Sequence, residues 1–122
     1  MTSPDQVSIH QQICDELYTL ALDENRFLQQ EKRAPDAALL ERKAALLSRL
    51  DQSLTALRVA PRPDAARRSA LDQARSRIMQ ILQLDRENEQ LLLRYSLARS
   101  PAPAAAPQGS AATLDRLYSR HP

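Results

Sequence analysis

From Leu71 to Tyr95 the chain reads LDQARSRIMQILQLDRENEQLLLRY, with no proline or glycine anywhere in the run. Nothing in it turns the backbone out of a helix. Leu71, Ala74, Ile78, Ile81, Leu92 and Tyr95 recur on steps of three and four, which makes one apolar stripe. The same count puts Asp85 and Asn88 where two more apolar residues belong. An acid and an amide in mid-seam are either a register device or a surface meant for another partner. Extended from Asp64 to Ser100, this helix would be roughly 54 Å long at about 1.5 Å per residue. It cannot bury its own stripe, so the other segments must cover it.

Two proline-containing breaks define those segments. Ser3-Pro4-Asp5-Gln6 has the form of a capped start, with Ser3 as N-cap, Pro4 in the first helical position and Gln6 closing a capping box. The first helix then carries Ile9 or His10, Ile13, Leu17, Leu20 and Phe27–Leu28 on one side, broken at Glu24, and ends near Arg33 before Pro35. Asp36 caps a second helix running to Val59. Its seam is Leu40, Lys43, Leu47, Leu50, Leu54 and Leu57, widened by Leu39 and Leu46. Pro61 and Pro63 stop it, and Asp64 caps the third. Short connections make consecutive helices antiparallel neighbours.

The predicted fold is therefore all-α: an antiparallel three-helix bundle over residues 1–100, with helices at 4–33, 36–59 and 64–100. Residues 101–122 form a flexible Pro/Ala-rich tail. The third helix should outreach the second by roughly 13 residues, leaving 89–100 partly uncovered. A single Gly, no Trp and 3% aromatic residues agree with helices packed through leucines and leave little to build a sheet.

Charge is divided along the chain. Residues 1–34 hold six acids and three bases, whereas 61–100 hold five acids and eight bases. An acidic first helix beside a basic third suits a bundle with complementary flanks. Arg67, Arg68, Arg75 and Arg77 could instead mark a nucleic-acid footprint, but no interleaved aromatics or reading motif accompany them, so no nucleic-acid partner is expected.

Residues 101–113, PAPAAAPQGSAAT, are uncharged and low in complexity, and read as a linker. As a random coil it would span roughly 20 Å. Beyond it, Leu114, Leu117 and Tyr118 lie on one face of a short amphipathic turn, a motif that docks on its own bundle or on a partner. Removal of everything from Pro101 onward is expected to leave stability within a few degrees of melting temperature.

No catalytic, metal or cofactor constellation stands out. His10 and His121 are at opposite ends, Gly109 is the sole glycine, and the pairs Asp15/Glu16 and Glu87/Glu89 face different ways on their helices. Cys14 is alone on an apolar face, the place of a small buried residue in a reducing compartment. The N-terminus is too polar for a signal peptide and no run is apolar enough to span a membrane, so neither membrane insertion nor export of the chain itself is expected. This reads as a cytoplasmic binding protein, not an enzyme.

The segments Leu39–Leu47 (LLERKAALL), with a lysine inside a leucine run, and Ile81–Leu93 (ILQLDRENEQLLL), with leucines around Asn88, together with a Pro/Ala linker leading to Tyr118, resemble the FlgN-type flagellar export chaperones. The resemblance implies a small helical protein that holds hook–filament junction subunits before type III secretion, as a monomer or weak dimer. The sister chaperones of the cap and filament proteins share the pattern. A chaperone of this kind needs an apolar surface with polar punctuation, able to cover a client helix and release it. The overhanging end, with Leu84, Asn88, Leu91, Leu92 and Tyr95, has that character. Leu114, Leu117 and Tyr118 of the tail would close over the client. The alternative is a homo-oligomeric coiled-coil adaptor with no export role.

Overall fold

The computed structural model describes residues 5–99 (side chains as far as Leu97), together with Leu114, Leu117 and Tyr118. Three helices, α1 (Gln6–Glu31), α2 (Ala37–Val59) and α3 (Ala65–Arg99), account for nearly all of this, with no strand among the described residues. The expected Ser3 cap, the linker at 101–113 and His121 lie outside the described residues.

Each helix is bounded by side chains that satisfy its orphan backbone groups. α1 starts at Asp5, not Ser3: the Asp5 carboxylate accepts from the Val7 N–H at 3.3 Å. The carboxylate two residues nearer the first buried residue, Val7, sets the start. At the other end Lys32 takes the left-handed conformation (φ 54°, ψ 38°) and its N–H bonds the Leu28 carbonyl, so the helix stops at Glu31 rather than running to Arg33. Asp36 accepts from the Leu39 N–H at 3.2 Å to open α2, and Asp64 from the Arg67 N–H at 2.8 Å to open α3.

The side chains that cross between helices fix their directions. Glu24 with Lys43, Glu16 with Arg49 and His10 with Ser53 run in opposite senses along α1 and α2, which are antiparallel. Asp5 with Arg67, Asp15 with Arg77 and Asn25 with Asn88 rise together, so α1 and α3 are parallel. The result is an up-down-up bundle. α1 is its central element, burying nine residues against four for α2. It packs against both neighbours, while α2 and α3 hardly approach one another directly.

The core is Ile13, Cys14, Leu17 and Leu20 of α1, Leu46, Leu50 and Leu54 of α2, and Ala74, Ile78, Ile81 and Leu82 of α3. Leu114 and Leu117 belong to the same core. On α3 the stripe continues through Asp85 and Asn88, both buried. On α2 the seam is rotated from the expected one. Leu46 and Ser53 are buried, Leu47 is only partly covered, and Leu40 is 51% exposed. Leu39/Leu40 and Leu46/Leu47 are identical pairs, so periodicity alone cannot choose between them. The polar contacts of Lys43 with Glu24 and Ser53 with His10 choose.

Candidate binding surfaces and the buried polar cluster

The expected overhang of α3 is shorter than 13 residues. Asn88 sits beside Asn25, and α1 ends six residues past Asn25, level with Arg94. α2 begins opposite the end of α1, so only the last turn or so of α3, from Tyr95 on, projects past both neighbours. The thirteen-residue figure compared helix lengths as if all began at one level. Leu91, Leu92 and Tyr95 are partly buried here, Leu93 is 41% exposed and Leu97 70% exposed. Leu84 is partly buried one turn before Asn88.

Asn88 is not on that surface. Its amide donates to the Ala21 carbonyl at 3.2 Å and its carbonyl oxygen accepts from the Asn25 amide at 2.9 Å, while Gln29 donates to Asn25 at 2.8 Å. These bonds exist in one relative position of α1 and α3 only, which makes Asn88 a register device. Glu24 and Lys43, each a polar break in its own stripe, likewise meet each other inside the α1–α2 contact.

Leu114 is fully buried, Leu117 nearly so, and Tyr118 partly so, against the bundle rather than over the end of α3. The Tyr118 hydroxyl lies 3.3 Å from His10 Nε2, and Tyr118 shares a cavity with Leu54, Leu57 and Arg58 of α2 and Leu71 and Arg75 of α3. His10 and Asn25 are fifteen residues apart on α1, about 22 Å at helical rise. The eight residues proposed as one surface therefore occupy separate places. Leu91, Leu92 and Tyr95 stand at one end of the bundle, Asn88 is inside it, Leu114 and Leu117 are in the shared core, and Tyr118 stands between α2 and α3.

At the base of that space is a buried polar cluster. His10, 3% exposed, has Nδ1 at 3.2 Å from Ser53 Oγ and Nε2 at 3.3 Å from the Tyr118 hydroxyl and 3.8 Å from Cys14 Sγ. A neutral imidazole has one donor and one acceptor nitrogen, and two hydroxyls, each able to donate or accept, satisfy either tautomer. Burial holds His10 below the ordinary histidine range, and thus neutral. Burial pushes the Cys14 thiol up to about 12, and raises Tyr118 above the ordinary phenol range. At neutral pH the thiol and the phenol are both protonated and the imidazole is neutral. The i, i+4 spacing of His10 and Cys14 is visible in the sequence; their convergence with Ser53 and Tyr118, from distant segments, is not.

Away from the α3 end, Leu40, Val59 and Met79 are also exposed. A trough of about 800 Å³ runs between α1 and α2, lined by Asp15, Glu16, Arg42 and Arg49 among others, and bridged by the Arg49–Glu16 ion pair at 3.0 Å. Of the arginines that could have formed a nucleic-acid footprint, Arg67 bonds Asp5 and Asp64, and Arg77 pairs with Asp15 and lies 4.4 Å over the Tyr18 ring. Among the described residues no group of three His, Cys, Asp or Glu could hold a metal ion, and no helix is long and apolar enough to cross a membrane.

These features define a small helical bundle with an apolar projecting end and a polar-keyed seat for its own tail. Compared with known proteins, the chain matches no family model, no curated protein and no solved structure.

Proposed function

We propose that this chain is a helix-binding protein of the flagellar export chaperone type, which holds a helical segment of an unassembled hook–filament junction subunit against the projecting end of α3. The observation that carries the reading is the exposure of Leu93 and Leu97 beside the half-buried Leu91, Leu92 and Tyr95, on the last turns of α3, where its neighbours come to an end. An apolar patch of this kind at a helix end suits the apolar face of a second helix. The choice of client rests on the resemblance of Leu39–Leu47, Ile81–Leu93 and the Tyr118 motif to the FlgN type. The work is binding, without catalysis or cofactor, by a cytoplasmic protein that is monomeric or weakly dimeric before the client arrives.

Titration calorimetry of the chain against hook–filament junction proteins at tens of micromolar tests this. Binding should weaken at least tenfold, about 1.4 kcal/mol, in Leu92→Asp, with helicity unchanged. Equal binding by the folded variant moves the site elsewhere. If the parent binds no such protein and light scattering finds a stable dimer that Leu97→Asp dissociates, the same patch serves a homo-oligomeric adaptor.

A further inference from the structure

We propose that the groove between α2 and α3 is a second helix-binding site, selective for a partner's amphipathic helix with leucines at positions i and i+3 and, at i+4, a tyrosine that hydrogen-bonds His10. Residues Leu114, Leu117 and Tyr118 are its occupant in the chain at rest. The proposal is independent of the α3-end site and of the identity of any client there.

Three observations carry it. First, α2 and α3 hardly touch, so α1 forms the floor of a groove whose two walls do not close on each other. Leu50, Leu54, Ile78 and Ile81 are nonetheless buried, and Leu114 and Leu117 share their core. The groove is completed by a segment that arrives from outside the three helices. Second, the floor has one polar point, His10, backed by Ser53, and the occupant meets it with the Tyr118 hydroxyl. A phenylalanine there would leave Nε2 buried without that hydroxyl, which weakens binding several-fold. The site therefore reads a hydroxyl as well as two leucines. Third, space remains beside Tyr118. A cavity of about 200 Å³ continues from Tyr118 towards the α2–α3 connection, walled by Leu54, Leu57 and Leu71 with Arg58 and Arg75 beside it. By volume this is room for one more side chain, since about 150 Å³ suffices for a benzene ring. A longer helix would place one more large apolar side chain there, one turn beyond its tyrosine, and an acidic residue near the two arginines.

Competition follows from these dimensions. Fourteen residues tether Leu114 to Arg99, which gives the in-chain occupant an effective concentration in the millimolar range. A free partner displaces it only by making contacts the tail does not make, and the residual cavity supplies them.

The test uses a fluorescent synthetic peptide of residues 110–122 of this chain and its Tyr118→Phe counterpart, read by anisotropy against the full-length protein. The double variant Leu114→Asp/Leu117→Asp, whose own tail no longer competes, should bind the parent peptide at least tenfold more tightly than the unmodified chain. The phenylalanine peptide should bind several-fold less well, and this difference should vanish when the double variant also carries His10→Leu. Leu92→Asp should bind the peptide as the unmodified chain does, which separates this groove from the α3 end. Equal affinity for the unmodified chain and a helical double variant would overturn the proposal. So would equal affinity for the two peptides. Should the double variant lose its helicity, the unmodified chain with fluorinated tyrosine decides the matter. Millimolar peptide must shift the Tyr118 resonance to its released position, and an unshifted resonance would overturn the proposal.

Discussion

His10 joins three segments through one imidazole: it lies on α1, faces Ser53 of α2 and receives Tyr118 from the tail. Burial holds it neutral, below the ordinary histidine range. The unfolded chain takes up a proton near pH 6.5, where the folded protein does not. Its contribution to stability is thus complete above about pH 6.5 and declines as the pH falls from there towards the lower folded value. Acidification from pH 7.5 to 5.5 should lower the melting temperature of the parent more than that of His10→Leu, although the variant starts lower. Parallel slopes would mean that His10 is accessible to protons in the folded state. In the sequence His10 was indistinguishable from Ile9 as the stripe residue, because both fit a step of three or four. What separates them is a serine forty-three positions away, a relation that no local pattern contains.

At the scale of the helices, the polar interruptions carry as much positional information as the leucines. Glu24, Lys43, Asp85 and Asn88 each break an apolar stripe, and each is legible in the sequence as a break. The pairing of Glu24 with Lys43, and of Asn88 with Asn25 and the Ala21 carbonyl, becomes visible only when α1 is laid against its neighbours. The number of helices and their boundaries to within two residues were legible, because Asp36, Asp64 and the prolines act locally. The rotation of α2 was not, because Leu39, Leu40, Leu46 and Leu47 offer two equally apolar faces. Leu50 belongs to the seam in either rotation and is fully buried, so Leu50→Ala should cost about 2–5 kcal/mol by urea denaturation. Leu40→Ala, on a half-exposed residue, should cost less than about 0.5 kcal/mol. A cost at Leu40 as large as that at Leu50 would restore the seam read from periodicity alone.

Taken whole, the molecule is a three-helix bundle whose core is finished by residues from beyond its third helix. The sequence marked Leu114, Leu117 and Tyr118 as a docking motif and left open where it docks, since an amphipathic turn is compatible with any apolar groove. On the sequence alone, deletion from Pro101 onward should cost little stability; with Leu114 and Leu117 buried in the core, a larger cost is expected. Leu114→Ala should lower the melting temperature on the order of 10 °C, as for any fully buried leucine in a domain of this size. The proposed α2–α3 groove is the place where Leu114, Leu117 and Tyr118 rest. The most direct measurement is therefore a nuclear Overhauser spectrum of the full-length chain at neutral pH, examined for the rings of Tyr118 and His10. The structure, with the hydroxyl 3.3 Å from Nε2, predicts a cross-peak between the two rings and a Tyr118 shift displaced from random coil. A Tyr118 ring at random-coil shifts, with no contact to His10, would contradict the account.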